Sequence, residues 1–198
     1  MTTVQSQTDK RTRLIDTAMR LAHAHGFRET SLSDIAETAE VPIGNVYYYF
    51  KTKGELGEAV VERRLAEFQG FKEEMGHLSS AKERLFAFVD SIERRKDQLA
   101  RGGCQWVGLC SELRLNGGAL AAKSAALLNA PLAWLEEQFQ AAGHGRDARG
   151  LAVHLFSAFQ GTAAVAHGTG DPELVVMEVR RLKEWIAALM KTENVTTS

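Results

Sequence analysis

An all-α fold is predicted by three features of this 198-residue sequence. Apolar residues recur at three- and four-residue spacings along most of its length, no stretch alternates convincingly at period two, and the periodic segments are separated by glycines. The pattern divides into about nine helices: three short ones at the amino terminus, one connector, and a larger helical domain. No internal repeat is evident.

Residues 1–9 are polar and read as a flexible tail, as do residues 192–198. In the first helix Leu14, Ala18, Leu21 and Ala22 share one face, and the helix stops near His25 and Gly26, where glycine accepts a left-handed cap; Phe27 then packs back. Ser31-Leu32-Ser33-Asp34 has the form of a capping box and opens a second helix of two to three turns, with Ile35, Ala36 and Ala39 on its apolar face. Only a few residues join Ala39 to Ile43, so the second and third helices turn sharply against each other in a helix-turn-helix.

The third helix begins after Pro42, whose fixed φ suits a first helical position, and is expected over Ile43 to Lys51. At about 100° per residue, Val46, Phe50, Ile43 and Tyr49 fall on one face and are expected to be buried. Gly44, Asn45, Tyr47 and Tyr48 are left facing outward. Lys51 and Lys53 follow, and no carboxylate lies between Val41 and Lys53. Such a surface of hydroxyl, amide and ammonium donors suits phosphate oxygens.

From Gly54 an amphipathic connecting helix runs through Leu56, Val60, Leu65 and Phe68 to Phe71, before Gly70, Gly76 and Ser79-Ser80 interrupt the pattern. Five further segments follow, at 81–99, 104–115, 119–142, 147–167 and 172–191. On the last, Val175, Val179, Leu182, Ile186 and Leu189 form an apolar stripe. The penultimate one carries Leu155, Phe156, Phe159, Ala163 and Ala166, with small Ala158, Gly161 and Ala164 allowing close approach. Four such helices from two copies would make a homodimer interface, with part of each stripe facing its own domain's core. The domains read as 10–53 for the helix-turn-helix unit, 54–71 for the connector and 72–191 for the larger domain.

Composition excludes several classes. A formal net charge of −1 with 25% charged residues argues against a protein that coats nucleic acid, so any such binding comes from a local patch. No apolar run reaches membrane-spanning length and the start has no hydrophobic signal core, which places the chain in the cytoplasm, away from membranes. Cys104 and Cys110 would stand about 9 Å apart on one helix, beyond disulfide reach. Cys104 follows Gly102-Gly103 and is expected in a first helical turn, where unpaired amides favour a thiolate, whereas Cys110 falls on a core face. His23 and His25 diverge on their helix and complete no metal set. No nucleophile elbow, phosphate-cradling loop or metal motif is present, so no catalytic residue, cofactor or enzyme activity is expected.

The segment SLSDIAETAEVPIGNVYYYFKTKGEL resembles the DNA-binding signature of TetR-type regulators: a small IA..A helix, a V-[SP]-x-G turn and a Y-x-Y-F-x-x-K ending. Glu40 departs from the family, which often has glycine in that turn, and implies slight strain. The resemblance implies that Ile43, Gly44, Asn45, Tyr47 and Tyr48 face the major groove and its phosphates, with Lys51 beside them. It implies that Lys53, opening the fourth helix, meets phosphate, and that Ser31 and Ser33 bind the DNA backbone. It also implies a homodimeric, ligand-responsive regulator, a repressor released from a palindromic operator by a small, largely apolar effector. Phe88, Ile92, Trp106, Trp134 and Phe159, with Cys110, lie on the segments that would enclose that effector. GGCQWVGLCSEL further resembles the GC-start sixth helix of a subset that includes thiol-responsive members, which makes Cys104 a candidate sensor of electrophile or oxidant and an alternative route of regulation.

Overall fold

Helix α1 runs from Thr2 to His25 in the computed structural model, which describes residues 2–115 and 117–192. It begins ahead of the start near residue 10 that its apolar pattern suggested. Of the two expected tails, residue 1 and residues 193–198 lie outside the described residues. The remaining helices are α2 Leu32–Thr38, α3 Ile43–Tyr49, α4 Lys53–Met75, α5 Ala81–Glu93, α6 Lys96–Gly102, α7 Gln105–Leu115, α8 Gly118–Ser124, α9 Ala126–Phe139, α10 Ala148–Thr169 and α11 Glu173–Thr192. No strand occurs among the described residues.

Two of the nine expected segments are divided, each for a local reason. At the end of α5 the Arg95 side chain donates from Nε to the Ser91 carbonyl at 2.9 Å, the oxygen that a continuous helix would offer to the Arg95 amide. The Arg95 N–H goes instead to Ile92 O at 3.0 Å, and the chain tightens and restarts as α6. Between α8 and α9, Ser124 donates its hydroxyl to Ala121 O at 2.9 Å and the Ala125 amide bonds three residues back to Ala122 O. This short-range bonding breaks the ladder at the start of α9.

Close contacts group the chain into two units, one formed by 1–67 with 105–128, the other by 68–104 with 129–198. In the first, α1 contributes Leu14, Ile15, Ala18 and Met19 to a core shared with Ile35 and Ala36 of α2, Val46 of α3, Leu56 and Val60 of α4, and Leu109, Cys110 and Leu113 of α7. α7 therefore packs with the helix-turn-helix segment, although it lies more than fifty residues further along the chain. Lys123 of α8 reaches Glu58 and Glu62 of α4 at 3.0 and 2.6 Å, fastening those helices at the surface.

The second unit is built on α5, α6, α9, α10 and α11 with the end of α4. Leu85, Val89 and Ile92 of α5, Leu155 and Ala163 of α10, and Val175, Val179, Leu182 and Ile186 of α11 are all buried within a single chain. Lys96 pairs with Glu173 at 2.6 Å, and Lys183 pairs with Asp90. The two apolar stripes, part of which was expected to face the chain's own core, cover that core with these residues, because α11 packs along α5 as well as α10. Gly161, Ala164 and Val165 of α10 and Met177 of α11 remain exposed.

Candidate DNA-binding surface

Ser31 caps α2 in both directions: its hydroxyl accepts the Asp34 N–H at 3.1 Å and its own N–H donates to Asp34 Oδ2 at 2.8 Å. These bonds to the Ser31 backbone and hydroxyl hold the Asp34 carboxyl below its ordinary pKa, with Lys53 and His25 adding favourable charge. The cap's electrostatic contribution is therefore present above the ordinary carboxylate value and is lost as pH falls through the depressed one. The Ser33 hydroxyl is exposed beside this cap.

The turn after α2 closes through Val41 N–H to Ala36 O at 2.9 Å and requires Glu40 to adopt φ +53°. A left-handed conformation costs an L-residue roughly 1–2 kcal/mol, so the strain expected at Glu40 is present. Glu40→Gly should raise stability by about 0.5–1 kcal/mol, because glycine's greater unfolded-state freedom offsets part of the relief. A denaturant midpoint that falls in this variant would contradict the account.

Pro42 then presents its carbonyl to the Asn45 and Val46 amides, at 2.8 and 3.3 Å, and starts α3. Val46 is fully buried and Phe50 nearly so, pinning the helix down, while Tyr48 is 64%, Tyr47 49% and Ile43 42% exposed. Ile43, expected on the buried face, is exposed instead, as is Gly44 beside it; it is the first residue of the helix. Tyr49 is half-buried and carries Tyr48 edge-on, centroids 5.0 Å apart. The helix ends at Tyr49 and Phe50 is extended, with φ −136°, so Lys51 lies past the helix on an exposed bend.

The start of α4 contains two features that the lysine count did not suggest. Thr52 accepts the Glu55 N–H at 3.1 Å, and the Glu55 carboxylate accepts the Lys51 N–H at 2.7 Å, so a carboxylate does reach this surface. The Thr52-x-x-Glu55 spacing is that of a capping box and was available in the sequence. Lys53 is half-buried: Nζ donates to Arg28 O at 2.7 Å and stands 5.2 Å from the Phe27 ring centre. Its ammonium has three donors, so the bond to Arg28 leaves two for phosphate. The Arg28 amide, in turn, donates to Glu112 Oε2 of α7 at 2.9 Å, and the turn joining α1 to α2 is held from both sides.

The effector candidates divide between the two units. Phe88, Trp134 and Phe159 pack together with Phe71, ring centres 5.6–6.4 Å apart, and Ile92 is buried one turn along from Phe88. Trp106 and Cys110 belong to the other unit, where Cys110 is buried with Ser124 Oγ 3.8 Å from its sulfur. That unit also holds an open cavity of about 320 Å³ lined by His25, Gly26, Arg28, Glu29, Glu112 and Leu115. Cys104, expected in the first turn of a helix, lies just outside α7, because Gly103 at φ +67° turns the chain there. It is half-buried and unpaired to Cys110.

Two short helices joined by a strained turn, the second pinned by two buried residues and showing two phenols, define a helix-turn-helix module of the DNA-binding class. Residues 14–60 match the family model described as bacterial regulatory proteins, tetR family. The match covers the amino-terminal helix-turn-helix segment of the chain. It is 40% identical over 60 residues to the HTH-type transcriptional repressor NemR of Escherichia coli strain K12, spanning 30% of each protein's length. The fold is similar to that of a TetR transcriptional regulator from Legionella pneumophila, with a TM-score of 0.78 at 20% identity over 87% of this chain and 94% of that one. It is also similar to the reduced form of E. coli NemR, with a TM-score of 0.73 at 24% identity over 88% and 96% of the two chains.

Proposed function

We propose that the chain is a homodimeric repressor that binds a palindromic operator in the cytoplasm and leaves it when a small, largely apolar effector binds. The observation that supports this is the α3 surface: Tyr47 and Tyr48 are exposed while Val46 and Phe50 fix the helix beneath them. Amphipathic rings held outward on a rigid helix are suited to groove edges and phosphates. No helix among the described residues is long and apolar enough to cross a membrane. The curated relative named above is itself called a repressor.

In this reading each copy presents one α3, and the dimer holds the two about 34–36 Å apart for successive major grooves. Phe68 and Phe71 of α4 belong to the aromatic group with Phe88 and Trp134, whereas Lys53 begins the same helix at the DNA-facing end. An effector that parts these rings displaces α4, and with it the spacing of the reading helices. Enrichment of duplexes from a random-sequence pool, followed by gel shift, tests the proposal. A folded chain that enriches nothing overturns it.

The dimer is assigned to the exposed small-residue face of α10, where Gly161, Ala164 and Val165 permit close helix approach. Val165→Glu leaves the single-chain core untouched and should convert a particle of twice 21.8 kDa into one of 21.8 kDa in light scattering. A variant that remains dimeric removes this face from the assignment.

A second reading concerns Cys104, half-buried just ahead of α7. Alkylation or oxidation of this thiol would alter the start of the helix that carries Glu112 and so reach the α1–α2 turn. It requires faster native-state labelling at Cys104 than at Cys110, with loss of DNA binding in the wild type and not in Cys104→Ser. Equal, slow labelling of both thiols ends this reading.

A further inference from the structure

Two arginines of α1, outside the helix-turn-helix itself, stand at opposite ends of α3. The Arg11 guanidinium carbon lies 5.3 Å from the ring centre of Phe50, the residue that closes α3. Arg13 Nη2 donates to the Glu40 carbonyl, at 3.4 Å, two residues before the proline that opens α3. Residues two apart on a helix diverge by about 200°, which is why neighbours in sequence take opposite ends of a helix about 10 Å long. Both arginines are exposed, and their contacts lie at the residues that flank the helix carrying Tyr47 and Tyr48.

Neither contact exhausts its guanidinium. A cation stacked on an aromatic face keeps its five N–H donors in the guanidinium plane, free to point outward, and one bond to a carbonyl leaves Arg13 with four. The Phe50 ring and the Glu40 carbonyl restrict the two side chains, so less rotamer entropy is lost when an anion binds than for a free surface arginine. The planar fork of donors matches a phosphate better than a lysine ammonium does.

We propose that Arg11 and Arg13 grip DNA phosphates on either side of the groove-reading helix, adding two positioning contacts per copy. The inference rests on the DNA-binding reading above. These contacts set register and affinity without reading bases, whereas Tyr47 and Tyr48 meet the groove.

The test uses the full chain and a duplex that the wild-type protein has enriched from a random pool, with affinity measured across a range of salt. Each arginine-to-alanine change should lower the slope of log affinity against log salt by about 0.9 per contacting copy, roughly two for a dimer. The loss should be the same on base-substituted duplexes. Arg11→Lys and Arg13→Lys retain the charge and should restore most of the slope, which a purely structural role for either residue would not require. Unchanged slopes in both alanine variants, or lysine variants that fail to recover the slope, overturn this inference alone. A wild type that enriches no duplex overturns the DNA-binding reading and this inference with it.

Discussion

Alanine at both Tyr47 and Tyr48 is expected to leave the fold intact and to remove most of the affinity for operator DNA. Both residues are exposed, so the change in stability should stay near the ±0.5 kcal/mol usual for surface positions. The edge-on contact of Tyr48 with Tyr49 adds at most about 0.5–1.5 kcal/mol. A hydrogen bond from a phenol to a charged phosphate contributes about 1.5–3 kcal/mol. Losing two such bonds per copy lowers affinity by roughly a hundredfold or more, at about 1.4 kcal/mol for each tenfold step. The pair Tyr47→Phe and Tyr48→Phe keeps the rings and removes only the hydroxyls, separating hydrogen bonding from stacking. Gel shifts at one fixed salt, with thermal melts of the same preparations, check the expectation. A variant that melts early yet binds as wild type would assign the tyrosines to the fold and not to DNA.

The helix-turn-helix was legible because its determinants are local. The Ser31–Asp34 box, the few residues between Ala39 and Ile43, Pro42 at the entrance to α3 and the burial of Val46 and Phe50 each follow from neighbours within one or two turns. The two breaks that divide the longer segments were less legible. A side chain that competes for a backbone carbonyl, as Arg95 does at Ser91 O, leaves no mark on an apolar pattern that continues through it. The stripes on α10 and α11 were read correctly as apolar faces. Periodicity says that such a face is covered, not whether the cover is the same chain or a second one, and here Val179 and Ile186 are already buried in one copy.

The site was legible in its outward residues and not in its supports. That Tyr47 and Tyr48 face outward follows from helical geometry alone. Lys53 was identified as a cation, but its bond to Arg28 O spans 25 positions, and the matching bond from Arg28 N to Glu112 spans 84. Contacts of that range depend on the packing of α7 against α1, which no local spacing encodes. Arg11 and Arg13 are not legible for a related reason: in sequence they are two surface charges, and their meaning comes from Phe50 and Glu40, both distant along the chain. The effector candidates show the same limit. Phe88, Trp134 and Phe159 come together, while Trp106 and Cys110 on α7 are taken into the unit with the helix-turn-helix.

Gly26→Ala is expected to be strongly damaging to the unit that carries the helix-turn-helix. Gly26 has φ +88°, a conformation that L-residues adopt at a cost of about 1–2 kcal/mol. The added methyl would also stand 3.2 Å from both carboxylate oxygens of Glu112. That carboxylate is held in place by the Arg28 amide at 2.9 Å, and a shift large enough to admit the methyl weakens a charge-assisted bond of about 1.5–3 kcal/mol. Together these effects give about 2–4 kcal/mol, a large part of the 5–15 kcal/mol that stabilises a typical protein. The melting temperature should fall by roughly 5–15 °C at about 2–4 °C per kcal/mol for a chain of this size. Glu112→Ala alone loses the hydrogen bond but keeps the backbone unstrained, so it should cost less. In Gly26→Ala with Glu112→Ala the methyl has no carboxylate to meet, and the double variant should be less destabilised than the sum of the singles, since the two changes share one contact. Strict additivity would show that backbone strain alone accounts for the glycine, and an unchanged melting temperature in Gly26→Ala would show that the α1–α2 turn accepts a side chain, leaving Glu112 without its role as the fastening of that turn.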